Sequence, residues 1–318
     1  MQPSFFTLNL TIPFLCFVFV CTSGPWLSVD ASQQESRKSF RPLSVPALKK
    51  TTKQLKRINK TLAAPQSGQW LDQQIESGQS FSEYLRSRPL TLTADRHKLY
   101  VQPIGEFNSS QREIIKLSAE YLSIYFSCPV QILDLQSEDE IPATAKRKHP
   151  TQGHHQLLTS HLLKNQLAPQ LPADAFAVIG FTASDLWPGD GWNFVFGYAS
   201  FRERVGVWSL ARLGDPTREP ESFRRCLERT CKLATHETGH MFSIKHCTEY
   251  VCNMQGSNSL QESDSQPIHL CPECHAKIIL ATQADPVKRI DKLIRFSQKH
   301  GLKREIKFLL EAREILND

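Results

Sequence analysis

From Lys98 onward the chain alternates short apolar runs with stretches whose apolar residues recur every three or four positions. "KLYVQPIG" predicts a strand, and "SSQREIIKLSAEYLSIYFS" an amphipathic helix capped by Ser109 or Ser110. "PVQILDL" predicts another strand, followed by a polar loop and a helix around "HQLLTSHLLKNQL". "DAFAVIGFT" (Asp174–Thr182) is continuously apolar, as a strand buried on both faces requires. Strands alternating with helices imply a largely parallel α/β sheet. The rhythm then breaks. "NFVFGYAS" (Asn193–Ser200) and "RVGVWSLARL" (Arg204–Leu213) are strands joined by a connection too short for a parallel crossover, so one of them runs antiparallel to the rest. "ESFRRCLERTCKLATHETGHMF" (Glu221–Phe242) predicts a long helix. "DPVKRIDKLIRFSQKH" and "LKREIKFLLEAREIL" predict two more, with Asp285 and Pro286 starting the first and Gly301 ending it.

The N-terminal third has a different texture. Residues 25–95 are polar and without sustained period, which reads as a partly disordered linker holding one or two weak helices such as "GQWLDQQIESG". Residues 1–24 read as an export signal: the apolar core Ile12–Cys21 has that length and Thr22, Ser23 and Gly24 follow it. No Lys or Arg precedes the core, so a cytoplasmic chain with a misassigned start is the alternative, as is a buried strand. The core is too short for a stable membrane span.

Composition adds bounds. With 318 residues, 40% hydrophobic and 22% charged, the chain can bury a proper core. Its net charge of +6 is mild, and much of it sits in "KKTTKQLKRINK" (Lys49–Lys60). Such a run can touch nucleic acid or anionic lipid, but no aromatic stacking residues accompany it and a solvated face is the simpler reading. The nine cysteines do not read as a disulfide framework. Cys16 and Cys21 lie in the signal-like segment, four others have metal-site spacing, and Cys128, Cys226 and Cys231 read as ordinary buried thiols.

The chemistry concentrates in "HETGHMFSIKHCTEYVC" (His236–Cys252). On a helix, residues four apart share a face, so His236 and His240 can bind one metal ion with Glu237 beside them. His246 lies too far along to share that face unless the chain turns sharply after Phe242 and returns. Three histidines with an open fourth position would suit a catalytic zinc. Such a turn favours glycine because positive φ is easy without a Cβ, and Ser243 stands there at a cost of about 1 kcal/mol. Cys247 and Cys252, with Cys271 and Cys274 at C-x-x-C spacing, suit a closed four-thiolate structural zinc. His246 and Cys247 are adjacent and point opposite ways in extended chain, which argues for two separate ions. His269 and His275 flank the second pair as possible substitute ligands or as plain surface residues. Met254 is either the apolar floor of a metal site or an ordinary core residue.

Taken together these residues resemble the archaemetzincin family. Its pattern, H-E-x-x-H-x-x-G-x-x-H-C, then x4-C-x-M, then C-x-x-C, is matched at His236, Glu237, His240, His246, Cys247, Cys252, Met254, Cys271 and Cys274. "CNMQGSN", "HLCPECHAKI" and the upstream "SDLWPGDGWNFVFGYAS" with "VGVWSLARL" look like the family too, so the resemblance spans roughly Leu99–Thr282 and departs from the pattern at Ser243. It implies an α/β, metzincin-like zincin: a mixed, mostly parallel sheet with an antiparallel edge strand, an active-site helix and a C-terminal subdomain bound by a four-cysteine zinc. Residues 96–284 would be the catalytic domain and 285–318 a C-terminal helical extension. Two zinc ions are implied, a catalytic one on His236, His240 and His246 and a structural one on Cys247, Cys252, Cys271 and Cys274. Glu237 would be the general base toward a zinc-activated water, and Met254 the residue beneath the site. "NFVFGYAS" would be the substrate edge strand, carrying Phe194, Phe196 and Tyr198. Tyr250 is a candidate second oxyanion donor, a packed loop tyrosine being the alternative. The implied partner is a peptide or protein cut by an endopeptidase or an aminopeptidase, with no nucleic acid and no stable membrane span. The rival is a zinc-stabilised peptide-binding module with a weak or inactive site, against which the intact Glu237 stands.

Overall fold

The computed structural model describes residues 43–317, so the export reading of residues 1–24 lies outside the described residues. Three short helices come first: α1 (Val45–Leu55), α2 (Trp70–Gln73) and α3 (Phe81–Arg86). Strand β1 (Lys98–Ile104), helix α4 (Ser109–Phe126) and strand β2 (Val130–Ile132) follow. Next are β3 (Lys146–Lys148), β4 (His155–Leu158), the single turn α5 (Thr159–His161), β5 (Ala175–Thr182) and β6 (Asp185–Trp187). Then come β7 (Gly197–Ser200), β8 (Val205–Ser209) and the long helix α6 (Pro220–Met241). The chain closes with α7 (Leu260–Ser265), α8 (Pro272–Thr282), α9 (Pro286–His300) and α10 (Lys303–Ile315).

The main sheet has the order β2-β1-β5-β8-β7. β1 pairs parallel with β2 and β5, and β5 parallel with β8. β7 pairs antiparallel with β8 and forms one edge, as the short connection between the two predicts. Every residue of β5 is buried, which is what its unbroken apolar run requires at the centre of a covered sheet. A smaller sheet, β3-β4-β6, joins an antiparallel and a parallel pair. The mixed, mostly parallel α/β architecture is as the sequence implies.

Three local expectations change. "HQLLTSHLLKNQL" is a strand over its first four residues and becomes helical only from Thr159, because Gln156 and Leu157 are recruited into the small sheet. Asn108, not Ser109 or Ser110, caps α4: its side chain accepts from the Gln111 N–H while the Gln111 side chain accepts from the Asn108 N–H, a reciprocal capping box. The third change concerns residues 43–95, which do not behave as a linker. α1 buries Leu48, Thr52 and Leu55 and packs on α8, leaving the lysines of its basic run on the outer face. α3 begins with a capping box at Ser80 and Glu83 and buries Phe81 and Tyr84. These contacts are too short and too interrupted to show as a period, yet they fasten the segment to the body of the fold.

Asp185 ties the small sheet to the chain leaving β8. It is almost fully buried, at 1% exposure. Arg212 reaches its two oxygens through Nε and Nη2 at 2.8 Å each, and His154 Nε2 and Gln156 Nε2 lie 2.7 Å from one of them. Burial alone would raise the Asp185 pKa, but the hydrogen bonds from Arg212, His154 and Gln156 outweigh it and hold the carboxyl below its ordinary value. Asp185→Asn leaves the Arg212 guanidinium without its carboxylate partner and should cost about 3 kcal/mol at neutral pH. A depressed carboxylate stabilises the fold above its ordinary pKa and ceases to do so as pH falls through the lowered value. The difference in urea stability between wild type and Asp185→Asn should therefore shrink as pH falls below about 4.

Candidate metal centre

Helix α6 carries two faces. Cys226, Leu227, Thr230, Cys231, Ala234 and Met241 pack inward, while His236, Glu237 and His240 are left half-buried. The helix then ends in a left-handed turn. Ser243 has φ of 65°, its N–H bonds the His240 carbonyl at 2.8 Å, and the Ile244 N–H bonds the Gly239 carbonyl at 3.3 Å. This is a Schellman closure with serine where glycine is usual. Phe242 fixes it from inside, its ring stacked on Phe176 at 4.1 Å and on Phe126 at 5.0 Å. The reversal brings His246 back beside the helix, its ring centroid 5.3 Å from that of His236 and 4.8 Å from that of His240.

One ring nitrogen from each histidine can be chosen so that all three lie within 4.8 Å of one another. The inner nitrogens of His236 and His240 are 3.0 Å apart, Nε2 to Nε2. The outer nitrogens are already engaged. His236 Nδ1 donates to the Asn253 carbonyl at 2.7 Å, His240 Nδ1 to the Ile244 carbonyl at 2.6 Å, and His246 Nδ1 faces Glu76 Oε1 at 2.9 Å. Burial, then the neighbouring His236 and His246, holds His240 well below the ordinary histidine pKa. Burial, then His236, lowers His246 against the opposing pull of Glu76. Convergent imidazoles with their Nδ1 atoms bonded form a donor set that would fit zinc with a position left for a further ligand. Glu237, between the first two, has its pKa raised by burial.

The four cysteines form a second cluster. Cys247, Cys252, Cys271 and Cys274 are buried, and their sulfur atoms lie within 4.8 Å of one another. Main-chain N–H groups point at the sulfurs: Cys271 N at 3.2 Å and Met254 N at 3.4 Å from Cys252 Sγ, and Cys274 N at 3.4 Å from Cys271 Sγ. Burial pushes the Cys252 and Cys271 thiols far up, while hydrogen bonds from Cys252, Cys271 and Cys274 pull Cys247 down. A bound cation is what would let all four ionise together in such surroundings. His269 and His275 are not part of this set. His269 Nδ1 bonds Glu305 of α10 at 2.9 Å, and His275 is buried with its pKa pushed down to about 3.

Met254 lies under α6. It is 1% exposed, and a Cβ added at Gly239 would come within 2.6 Å of its sulfur. The edge strand is shorter than its sequence suggests. Phe194 and Phe196 precede β7, Phe194 holding the Arg212 guanidinium at 3.6 Å, and of the three aromatics only Tyr198 lies on the edge, 46% exposed. Tyr250 is turned to the N-terminal segment, its ring 6.0 Å from the Lys56 ammonium.

A family model described as Peptidase family M54 matches residues 168–279. Archaemetzincin-2 from Macaca fascicularis is 33% identical over 272 residues, covering 74% of this chain and 73% of the relative. The chain belongs to the archaemetzincins. Archaemetzincin from Thermococcus kodakarensis is 39% identical over 113 residues, which is 34% of this chain and 58% of that one. A crystal structure of archaemetzincin from Methanopyrus kandleri aligns with a TM-score of 0.48 at 29% identity, covering 60% of this chain and 97% of that chain.

The family motif does not announce the residues that grip the turn from outside it. Tyr84 Oη donates to the Phe242 carbonyl at 2.7 Å, Gln79 Nε2 to the Ser243 carbonyl at 3.3 Å, and the Leu90 N–H to Ser243 Oγ at 3.1 Å. Gln79 is fixed in turn by Lys277, whose Nζ donates to its carbonyl. Phe201, in the β7–β8 turn with its ring 6.0 Å from His240, also escapes the motif. The one signal in the sequence is the Ser-x-x-Glu pattern at Ser80–Glu83, a helix start inside the polar stretch. The Ser243 hydroxyl is therefore in use at a position where this archaemetzincin departs from the family glycine. Ser243→Ala keeps the left-handed backbone and loses the bond to Leu90, so it should be about 1 kcal/mol less stable than wild type in urea. Ser243→Gly loses the same bond but sheds the steric cost, and should fall within about 0.5 kcal/mol of wild type.

Proposed function

We propose that this member of a zinc metallopeptidase family hydrolyses peptide bonds, with Glu237 as its general base, His236, His240 and His246 holding a catalytic zinc ion, and Cys247, Cys252, Cys271 and Cys274 holding a structural one. The observation that carries the reading is the histidine triad itself: three imidazoles bonded at Nδ1 and converging beside a carboxylate whose pKa is raised. Zinc bound there would supply Lewis-acid chemistry, acidifying water toward neutrality and polarising a peptide carbonyl.

The residues do the rest. Glu237 lies between two ligands on the same helix, and its carboxylate takes a proton from the attacking water and hands it to the leaving amine nitrogen. The edge strand β7 supplies substrate grip: among the described residues no strand lies beside its outer main-chain groups in the sheet, so an extended peptide can add to Gly197–Ser200 by β-augmentation. Tyr198 and Phe201, 46% and 50% exposed, present apolar surface along that path.

Glu237→Gln should retain both zinc ions and lose at least about 100-fold in cleavage of a peptide library. Undiminished cleavage would remove Glu237 from its assigned role, and zinc retention without cleavage by the wild type would favour a binding module. Cys271→Ser should lower zinc content by about one ion and reduce the urea midpoint, because structural zinc contributes ~10 kcal/mol or more to folding. Unchanged metal content in that variant would overturn the second site.

A further inference from the structure

The three histidines are not held alike. His236 and His240 give their Nδ1–H groups to main-chain carbonyls, whereas His246 meets a carboxylate, with Glu76 Oε1 at 2.9 Å and Oε2 at 3.0 Å. Glu76 lies 170 positions upstream, outside residues 168–279 that the family model matches. Its placement is built. Trp70 Nε1 donates to Glu76 Oε2 at 3.0 Å, and the Trp70 ring stands edge-on to the His246 ring with centroids 5.1 Å apart. Trp70 is itself seated: its main-chain N–H bonds Glu262 Oε1 at 2.9 Å, and a Cβ at Gly256 would come within 2.4 Å of its ring.

We propose that Glu76 is a positioning residue for His246, fixing the tautomer and rotation of its ring and strengthening its hold on the metal. The need for such a brace is local. His236 and His240 are oriented by the helix that bears them, but His246 follows an irregular turn and has no helix to set its ring. A carboxylate accepting Nδ1–H leaves Nε2 as the coordinating atom and makes the imidazole a better donor, an effect worth about 10–100-fold in metal affinity where such partners have been removed. The contact is to Nδ1, so Glu76 can hold the ring while Nε2 is left for the metal. The inference rests on the zinc reading of the histidine triad.

The test measures zinc release to a competing chelator from the full-length, zinc-loaded protein, together with the melting temperature of the metal-free form. His240→Ala, which should keep only the cysteine-bound ion, identifies which of the two ions is lost first. Glu76→Ala should loosen the histidine-bound ion about 10–100-fold and leave the cysteine-bound ion unchanged. Glu76→Gln, close to isosteric, keeps an acceptor for Nδ1–H without the charge and should fall between Glu76→Ala and wild type. Wild-type affinity in Glu76→Ala would overturn the proposal, as would both ions loosening together with a lowered melting temperature, since that is what a merely structural residue would do. Wild-type protein taking no zinc at the histidines would instead remove the peptidase reading, and this proposal with it.

Discussion

The reversal after α6 is the constraint on which the rest of the site depends. A helix alone can align His236, Glu237 and His240, but no continuation of it can bring His246 to the same point. The left-handed Ser243 makes the return possible, and it also decides what happens a few residues later. With His246 joining His236 and His240, Cys247 joins the buried thiol cluster instead. A single backbone conformation thus supplies the last member of one donor set and the first member of the other. Neither set could be complete if the turn opened.

The second link between the centres is the short run Cys252–Met254. Cys252 joins the thiol cluster, the Asn253 carbonyl accepts from His236 Nδ1, and the Met254 sulfur packs against Gly239 between the two helical histidines. Asn253 is held in its own right, donating through Nδ2 to Thr235 Oγ1 at 2.8 Å and through its N–H to the His269 carbonyl at 2.9 Å. His269 in turn leans on the buried Glu305 of α10. A cation on the four thiolates would therefore stiffen the loop that orients His236, and would bear on the geometry of the histidine cluster. This is a mechanical coupling through three consecutive residues, and it requires no change of fold.

What was legible in the sequence follows from the kind of physics behind each feature. The apolar run of β5, the two faces of α6, and the Asp285 and Gly301 boundaries of α9 all arise from burial period or from local backbone chemistry, which sequence displays directly. Ser243 could be placed at positive φ for the same reason. The capping of α4 was partly hidden, because Asn108, Ser109 and Ser110 are all good caps and only the partnership with Gln111 selects among them. The segment 43–95 was opaque. Its helices are short, and its decisive contacts are made by single polar side chains, Glu76 and Gln79, whose partners lie far away in the chain. No period marks such residues, and only the folded geometry shows whom they meet.

That segment changes how the departure at Ser243 should be understood. A glycine there would make the turn easier, since nothing then opposes positive φ. A serine is costlier for the backbone, yet it adds a hydroxyl that accepts from Leu90, beside the Tyr84 and Gln79 bonds to the carbonyls of Phe242 and Ser243. The intrinsic ease of the turn and its support from outside are alternative ways to hold the same conformation, each on the order of 1 kcal/mol. A chain that wraps its turn with an N-terminal strap can tolerate the serine. Losing the strap would expose the full steric cost at the residue where both donor sets meet. Ser243 is thus the point at which the N-terminal segment and the site become one structural unit, and the substitution is intelligible only with both in view.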